Sequence, residues 1–366
     1  MLAPCRNSSE KKQKMTSPKI FDGHNDFLLR LLRDPENRET TFLTHTDEGH
    51  LDLPRMRQGG FAGGFFAIYI SSPMPDVDLM EQMKSPPYAF ALPDEIPMTE
   101  AQPVALAMAG HLKWMERASD GQFKICRTVA ELRHCLDHDI IAAIMHIEGA
   151  EAIGPDLDAL YLFHDMGLRS LGPVWSRPTV FGHGVPFAFP ASPDTGPGLT
   201  PAGKDLLRLC NELGILFDLS HLNEAGFNDV AALSDAPLVA THSNAHAITP
   251  STRNLTDRQL GMIRDSDGMV GVNFASGFLN PDGRRTSGDG FDAMLRHLDH
   301  LIAQLGEDRV GFGSDFDGAE VPAKLKDATG LPALCDALRA HGYDEALLAK
   351  LCHENWLAVL ERTWRD

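Results

Sequence analysis

The sequence predicts an α/β protein folded as a (β/α)8 TIM barrel, and three observations support that architecture. Eight short apolar runs are bounded by glycine, proline or charged residues, which is typical of buried strands. Segments of helical periodicity lie between these runs, as expected for a parallel sheet. No glycine-rich dinucleotide fingerprint follows any run, which disfavours an open, doubly wound sheet.

The predicted strands and helices are distributed along the whole chain. The strands cover residues 19–23, 63–70, 140–147, 170–174, 214–219, 237–241, 268–274 and 309–313. The helices cover residues 98–118, 128–136, 156–167, 200–214, 223–234, 256–266, 290–306 and 344–364. Four helices open with a residue type that caps helix N-termini: Thr128, Thr200, Asn223 and Thr256.

Two proline-rich segments, residues 71–97 and 177–198, fit neither the strand nor the helix pattern. Both follow predicted strands, so we expect them to lie over the C-terminal mouth of the barrel. Long loops in that position usually shape a substrate site.

The composition favours an enzyme without nucleic-acid or membrane partners. The 366 residues include 51 Asp+Glu against 33 Lys+Arg, and the resulting net charge of -18 repels nucleic acid and anionic membranes. There is no signal-peptide-like stretch and no run of about 18 apolar residues. Six cysteines without metal-site spacing indicate reduced thiols, so we expect a cytoplasmic protein. We expect residues 1–18 to form a frayed or disordered tail and residues 19–366 a single domain.

Metal-binding residue types recur where the predicted strands end. They are His24, Asp26, Glu148, His221 and His242. In a barrel these ends converge on one opening, and the two-residue spacing of His24 and Asp26 directs both side chains to the same side. Three histidines and two carboxylates exceed one tetrahedral zinc site and suit two ions bridged by a carboxylate. Zinc is favoured, and manganese, iron or cobalt are alternatives.

Each of these residues also has an ordinary structural explanation. A single His-x-Asp is often a hydrogen-bonded pair, Glu148 could support a helix N-terminus, and His242 could simply end a strand. It is the joint pattern that favours a metal site.

The ordered motifs resemble the membrane (renal) dipeptidase family of the amidohydrolase superfamily. The matching stretches are DGHND from Asp22, HLDLPRMRQGGFAGGFFAIY from His50, IEGAEAI from Ile147, GLTPAGKDLLRLCNELGILFDLSHL from Gly198, APLVATHSNA from Ala236, TRNLTD from Thr252 and VGFGSDFDG from Val310. The resemblance implies a binuclear-zinc barrel. It also implies that His24 and Asp26 bind one ion, that His221 and His242 bind the other, and that Glu148 and a water or hydroxide bridge them.

The resemblance further assigns residues to the substrate. Arg253 matches the arginine that contacts the substrate carboxylate, and Asp315 matches the acidic residue near the bridging water. Where mammalian members carry a histidine that helps hold the scissile carbonyl, this sequence has Trp175, which leaves the metal or another donor, such as His183, to do so. The simpler alternatives are a surface position for Arg253 and a ligand-orienting role for Asp315.

The implied activity is hydrolysis of dipeptides with a free C-terminal carboxylate, including L-Xaa-D-Xaa, with a homodimer as a family expectation. One alternative is another amidohydrolase reaction on the same site, on a lactone, cyclic amide, β-lactam or phosphotriester. Arg253 favours a carboxylate-bearing substrate. A non-catalytic metal-binding barrel is a further alternative, but it predicts missing ligands, and none is missing.

Overall fold

Eight parallel strands form the barrel that the sequence predicts. The computed structural model describes residues 18–72, 79–286, 288 and 290–364. The barrel strands, first to eighth, are Ile20–Asn25, Phe61–Tyr69, Ile141–Glu148, Leu168–Gly172, Leu216–Phe217, Val239–Ala240, Met269–Asn273 and Val310–Gly313. Each overlaps one predicted strand. Neighbours pair in parallel around the barrel, and the Leu219 N–H donates to the Val239 carbonyl (2.9 Å) where the fifth strand meets the sixth.

All eight predicted helices are present. They span Met98–Ala118, Val129–Asp137, Asp158–Met166, Pro201–Leu213, Glu224–Leu233, Asp257–Asp265, Asp292–Leu305 and Glu345–Ala349, the last continuing through a π-helical turn, Lys350–Glu354, into Asn355–Thr363. The four predicted capping side chains each accept a backbone N–H of the first helical turn. None of the described helices combines the length and apolar character that crossing a bilayer requires.

Six further helices among the described residues were missed by the sequence analysis. They are Phe27–Arg33, Arg38–Leu43, Leu53–Gly59, Leu79–Gln82, Ser276–Leu279 and Leu331–His341, with 3-10 turns at Glu307–Arg309 and Ala328–Gly330. A short strand, Phe123–Ile125, pairs with the third barrel strand.

The two proline-rich segments meet each other. Tyr88–Ala89 and Ala188–Phe189 form a two-stranded antiparallel sheet, and the Phe90 N–H donates to the Phe187 carbonyl (3.0 Å). Residues 73–78 of the first segment lie outside the described part of the chain, as do residues 1–17 of the expected tail. The cysteines at 126, 135, 210, 335 and 352 are free thiols, as predicted, and Cys5 lies outside the described residues.

Apolar side chains fill the N-terminal end of the barrel. Trp356, from the C-terminal helix, is fully buried against Phe65, and its indole Nε1 donates to the Phe312 carbonyl (3.0 Å). Gly23 leaves the room for this indole, since a Cβ at that position would overlap it. Trp356 therefore packs the interior of the barrel.

Candidate metal centre

The five predicted metal ligands lie together at the C-terminal end of the barrel. His24 belongs to the first strand and Asp26 directly follows it, Glu148 ends the third strand, and His221 and His242 follow the fifth and sixth. None of the five is more than 6% exposed. Asn25 faces elsewhere, as the alternation of a strand predicts, because its side-chain amide donates to the Phe65 carbonyl (3.0 Å).

Glu148 stands between two groups of imidazole rings, one formed by His24 alone and the other by His221 and His242. Its Oε2 is 3.7 Å from Nε2 of His24. Its Oε1 is 2.9 Å from Nε2 of His221 and 3.4 Å from Nε2 of His242. One carboxylate oxygen therefore faces each group, which is the arrangement that a carboxylate bridging two ions requires.

His24 lies among carboxylates, on the side of Glu148 opposite His221 and His242. Its Nε2 is 3.5 Å from Oδ2 of Asp26, and ligand atoms of His24, Asp26 and Asp315 all lie within 4.8 Å of one another. A second such group consists of His24, Glu148 and His242. Both ring nitrogens of His24 are buried without a hydrogen-bond partner among the described residues. A bound cation would satisfy a nitrogen that is otherwise left unpaired.

The electrostatics of the group also fit a cation. Burial lowers the pKa of His24, but the surrounding carboxylates outweigh burial and raise it to about 10. Burial raises the pKa of Glu148 well above its usual value, although His24 opposes this effect. Burial lowers the pKa of His221 and His242 well below the usual value, and nearby cations add to the effect. The carboxylates around His24 therefore favour positive charge at that position, and His221 and His242 are held as neutral imidazoles. Imidazole and carboxylate groups are the donor set that divalent ions such as zinc use.

Gly318 keeps space open beside two of the carboxylates. A Cβ at this position would overlap Oδ2 of Asp26 and Oδ1 of Asp315. The loop that carries Asp315 is tied to the first strand, because the Asp315 N–H donates to the His24 carbonyl (3.0 Å). Asp315 itself is half-buried, and burial together with Asp26 raises its pKa. Its Oδ2 accepts a hydrogen bond from Nδ2 of Asn273 (3.0 Å).

Arg253 is buried beside the histidines, so the alternative of a surface position is wrong. Its Nη1 donates to the Ser220 carbonyl and its Nη2 to the His242 carbonyl (3.1 Å). The guanidinium lies 5.4 Å from the centre of the Phe278 ring. Its Nε is buried with no partner among the described residues. Burial lowers the pKa of Arg253 to about 10, against the pull of Asp315 and other carboxylates.

Aromatic rings border the site on the side of His221. Trp175 is partly exposed, and its ring centre lies 5.8 Å from that of His221, 5.2 Å from that of Tyr69 and 5.5 Å from that of Phe187. His183 is also partly exposed, and its carbonyl accepts a hydrogen bond from the Asn223 N–H (3.2 Å).

Comparisons with known proteins identify the family. The family model described as membrane dipeptidase (peptidase family M19) matches residues 9–365. The chain belongs to the membrane dipeptidase family. The resemblance inferred from the motifs is thus confirmed, and with it the enzyme class, a metal-dependent hydrolase.

Relatives cover between 70% and 95% of the chain. A Rhodobacter sphaeroides metallopeptidase, crystallised with a phosphinate mimic of the dipeptide L-Ala-D-Ala, is 68% identical, with a TM-score of 0.94 over 95% of this chain and 100% of its own. A Klebsiella pneumoniae protein from the pqqA 5' region is 48% identical over 70% of this chain and 94% of its own. The Claviceps purpurea dipeptidase tcpJ is 25% identical over 93% of this chain and 76% of its own.

Several residues around the candidate ligands were missed by the sequence analysis. Oγ of Ser176 lies 3.0 Å from Nδ1 of His221, and Oγ1 of Thr241 lies 2.9 Å from Nδ1 of His242. Asn273 and Thr241 lie at strand ends, the same position that identified the ligands, and their polar character was an available signal. Ser176 lies in a loop and gave none.

The other acidic residues near the site hold its loops together. Asp22 accepts hydrogen bonds from the Ser314 N–H (2.6 Å) and hydroxyl (2.8 Å), which joins the first and eighth strands. Asp317 accepts a hydrogen bond from the His50 N–H (2.6 Å).

Proposed function

We propose that the protein is a dipeptidase that uses two zinc ions to hydrolyse dipeptides with a free C-terminal carboxylate, including L-Xaa-D-Xaa. The observation that carries the proposal is the position of Glu148, with one oxygen towards His24 and the other towards His221 and His242. The Rhodobacter sphaeroides relative, crystallised with a mimic of L-Ala-D-Ala, supports the choice of substrate.

In this proposal His24 and Asp26 hold one ion, His221 and His242 hold the second, and Glu148 contacts both. Zinc suits the donors, which are imidazoles and carboxylates without thiolate. Two such ions, when bound, would lower the pKa of the attacking water and polarise the scissile carbonyl.

Asp315 is the proposed proton carrier. It is adjacent to His24 and Asp26, and its raised pKa suits a group that takes up a proton and gives it back. The hydrogen bond from Asn273 holds one carboxylate oxygen, which fixes the direction of the other. Asp315 would accept the proton of the attacking water and deliver it to the leaving amine.

Arg253 is the proposed anchor for the terminal carboxylate of the substrate. A guanidinium has five N–H donors, and the two carbonyl contacts leave Nε and further N–H groups available. A buried, charged N–H group gains a strong partner in a carboxylate. Trp175 and His183 would border the bound dipeptide, with Trp175 occupying the side of His221.

The test is a substrate panel on the purified, zinc-loaded protein. It pairs L-Xaa-L-Xaa and L-Xaa-D-Xaa dipeptides with their C-terminal amides, and adds a lactone, a cyclic amide, a β-lactam and a phosphotriester. We expect hydrolysis of free dipeptides and much slower hydrolysis of the amides. With two metals bound, no hydrolysis of either dipeptide series would overturn the function, and equal rates for the amides would overturn the role of Arg253. The homodimer and the cytoplasmic location stay predictions, the former open to light scattering.

A further inference from the structure

A buried carboxylate, Asp218, lies behind Thr241, the residue whose hydroxyl contacts His242. Asp218 is 3% exposed, and its Oδ2 accepts a hydrogen bond from the hydroxyl of Thr241 (2.6 Å). The same hydroxyl oxygen lies 2.9 Å from Nδ1 of His242. The three groups form a continuous line from the barrel interior to the candidate metal centre.

The donors around Asp218 determine which group donates and which accepts in each of these hydrogen bonds. Oδ1 of Asp218 accepts from the Ser220 N–H (3.1 Å), the Ser220 hydroxyl (2.6 Å) and the Thr241 N–H (2.8 Å). All these contacts come from groups that can donate, and a carboxylate can only accept. The Thr241 proton must therefore point at Asp218, and the lone pair of its oxygen must accept a proton from Nδ1 of His242.

We infer that Asp218 and Thr241 are positioning residues that fix the tautomer of His242. With the proton on Nδ1, Nε2 carries the lone pair, and Nε2 is the atom that faces Glu148 (3.4 Å) and Nε2 of His221 (3.2 Å). Asp218 also holds the backbone, because the Ser220 hydroxyl that it orients accepts from the His242 N–H (3.1 Å). The histidine is thus prepared as a ligand before any ion arrives. This inference rests on the proposed metal site.

His221 offers a built-in contrast. Its Nδ1 lies 3.0 Å from the Ser176 hydroxyl, for which the described residues provide no carboxylate partner. A hydroxyl without an anchor can rotate to donate or to accept. The contact at Nδ1 therefore does not set the tautomer of His221, whereas the contact at Nδ1 sets that of His242.

Asp218→Asn provides the sharpest test. The replacement has the same shape, but it exchanges the donor and acceptor roles along the hydrogen bonds from Asp218 to His242. The Ser220 N–H, the Ser220 hydroxyl and the Thr241 N–H keep the amide oxygen at the Oδ1 position. The amide NH2 therefore takes the Oδ2 position and donates to the Thr241 hydroxyl. The Thr241 hydroxyl then donates to Nδ1 of His242 (2.9 Å), which is nearer than the Ser220 hydroxyl oxygen (3.3 Å), and the imidazole proton moves to Nε2. Thr241→Val removes the hydroxyl at nearly constant volume, Thr241→Ser retains it, and Ser176→Ala is the matched control at His221.

Two measurements test the inference without any substrate. Long-range proton–nitrogen NMR of the metal-free proteins reports the His242 tautomer, and competition with a chelator reports zinc affinity. We expect the Nδ1–H form in the wild type and Thr241→Ser, the Nε2–H form in Asp218→Asn, and a mixture in Thr241→Val. Zinc affinity should fall about 10- to 100-fold in Asp218→Asn and Thr241→Val, and clearly less in Ser176→Ala and Thr241→Ser.

An unchanged His242 tautomer in Asp218→Asn would overturn the inference. So would Thr241→Ser binding zinc as weakly as Thr241→Val, since the methyl group rather than the hydroxyl would then be the important feature. A failure of the proposed dipeptidase activity would appear in the substrate panel and leave these measurements unaffected, so the two failures are distinguishable.

Discussion

The two ends of the barrel use the same strands for opposite purposes. At the N-terminal end, Phe21, Phe65 and Trp356 are fully buried in one apolar cluster, and glycine leaves room for the indole. At the C-terminal end, His24, only three residues after Phe21, is equally buried but has no hydrogen-bond partner among the described residues for either ring nitrogen. Burial therefore stabilises the N-terminal end and prepares the C-terminal end to bind a cation. Substitutions at the N-terminal end should mainly lower stability, and substitutions at the C-terminal end should mainly lower activity.

The largest effect should come from Asp315→Asn at the C-terminal end. An amide cannot take up and return a proton, and a positioned general acid–base group contributes roughly 10²- to 10⁴-fold in rate. We expect kcat on a dipeptide to fall by about that factor, with zinc content and melting temperature near the wild-type values. Steady-state kinetics on protein of measured zinc content is the test.

Asp317→Asn is the matched control for this substitution. Asp317 lies in the same loop, but its carboxylate accepts from the His50 N–H (2.6 Å) and is within 3.4 Å of Arg30. The control should lower stability more than kcat. A normal kcat in Asp315→Asn, with both ions bound, would contradict the proposed role.

Trp356→Ala should damage the opposite end. Removing a fully buried indole and its hydrogen bond to the Phe312 carbonyl should cost about 3–5 kcal/mol of unfolding free energy. Folded Trp356→Ala should still bind its metal ions, because the indole lies in the apolar cluster. Urea unfolding followed by circular dichroism measures the loss, and Trp114→Ala, at a partly exposed tryptophan, is the control with the smaller effect. Loss of zinc without loss of stability would break the proposed separation.

Sequence reasoning was strongest where a local pattern and the barrel topology agree. The apolar run before Glu148 and the two-residue spacing of His24 and Asp26 mark strand ends, and barrel closure brings strand ends together without further information. Sequence reasoning failed where a contact has no local signal. The helix Leu331–His341 begins after Gly330 without a capping side chain.

The contact between Asp218 and Thr241 is an example of a contact without a local signal. They are 23 positions apart, and only the meeting of the fifth and sixth strands places the carboxylate behind the hydroxyl. The same holds for Ser176 and His221, which are 45 positions apart. The polar surroundings of a ligand depend on tertiary contacts that residue spacing does not encode.

His297, on the helix Asp292–Leu305, is a buried histidine outside the metal centre, and its neutral form is expected to stabilise the fold. It is fully buried, its Nδ1 accepts from the Ala245 N–H (3.0 Å), and its Nε2 is 3.1 Å from the Leu279 carbonyl. Burial lowers its pKa to about 4, although the Leu279 hydrogen bond opposes the shift. As the pH falls, His297 therefore takes up a proton in the unfolded chain before it does so in the folded protein. Stability from His297 is complete above pH ~6.5 and is lost towards pH ~4, a change of roughly 3 kcal/mol.

The comparison with His297→Gln isolates this effect in metal-free protein. Glutamine can accept and donate at similar positions but does not titrate in this range. Unfolding free energies measured from pH 7 to pH 4 should fall more steeply for the wild type than for the variant, since the other histidines contribute equally to both. Parallel curves would show that His297 is not held in its neutral form.

Arg253→Met should have the smallest but most selective effect, at the C-terminal end. Methionine keeps much of the apolar length against Phe278 but removes the charge and the N–H donors. A hydrogen bond to a charged group contributes about 1.5–3 kcal/mol, so kcat/KM for a free dipeptide should fall roughly 10- to 100-fold. The C-terminal amide of the same dipeptide lacks the carboxylate, so its already low kcat/KM should change little. Because Arg253 also donates to the Ser220 and His242 carbonyls, zinc content must be measured in parallel. An equal loss for both substrates, with full zinc content, would show that Arg253 supports the fold of the centre and does not read the substrate carboxylate.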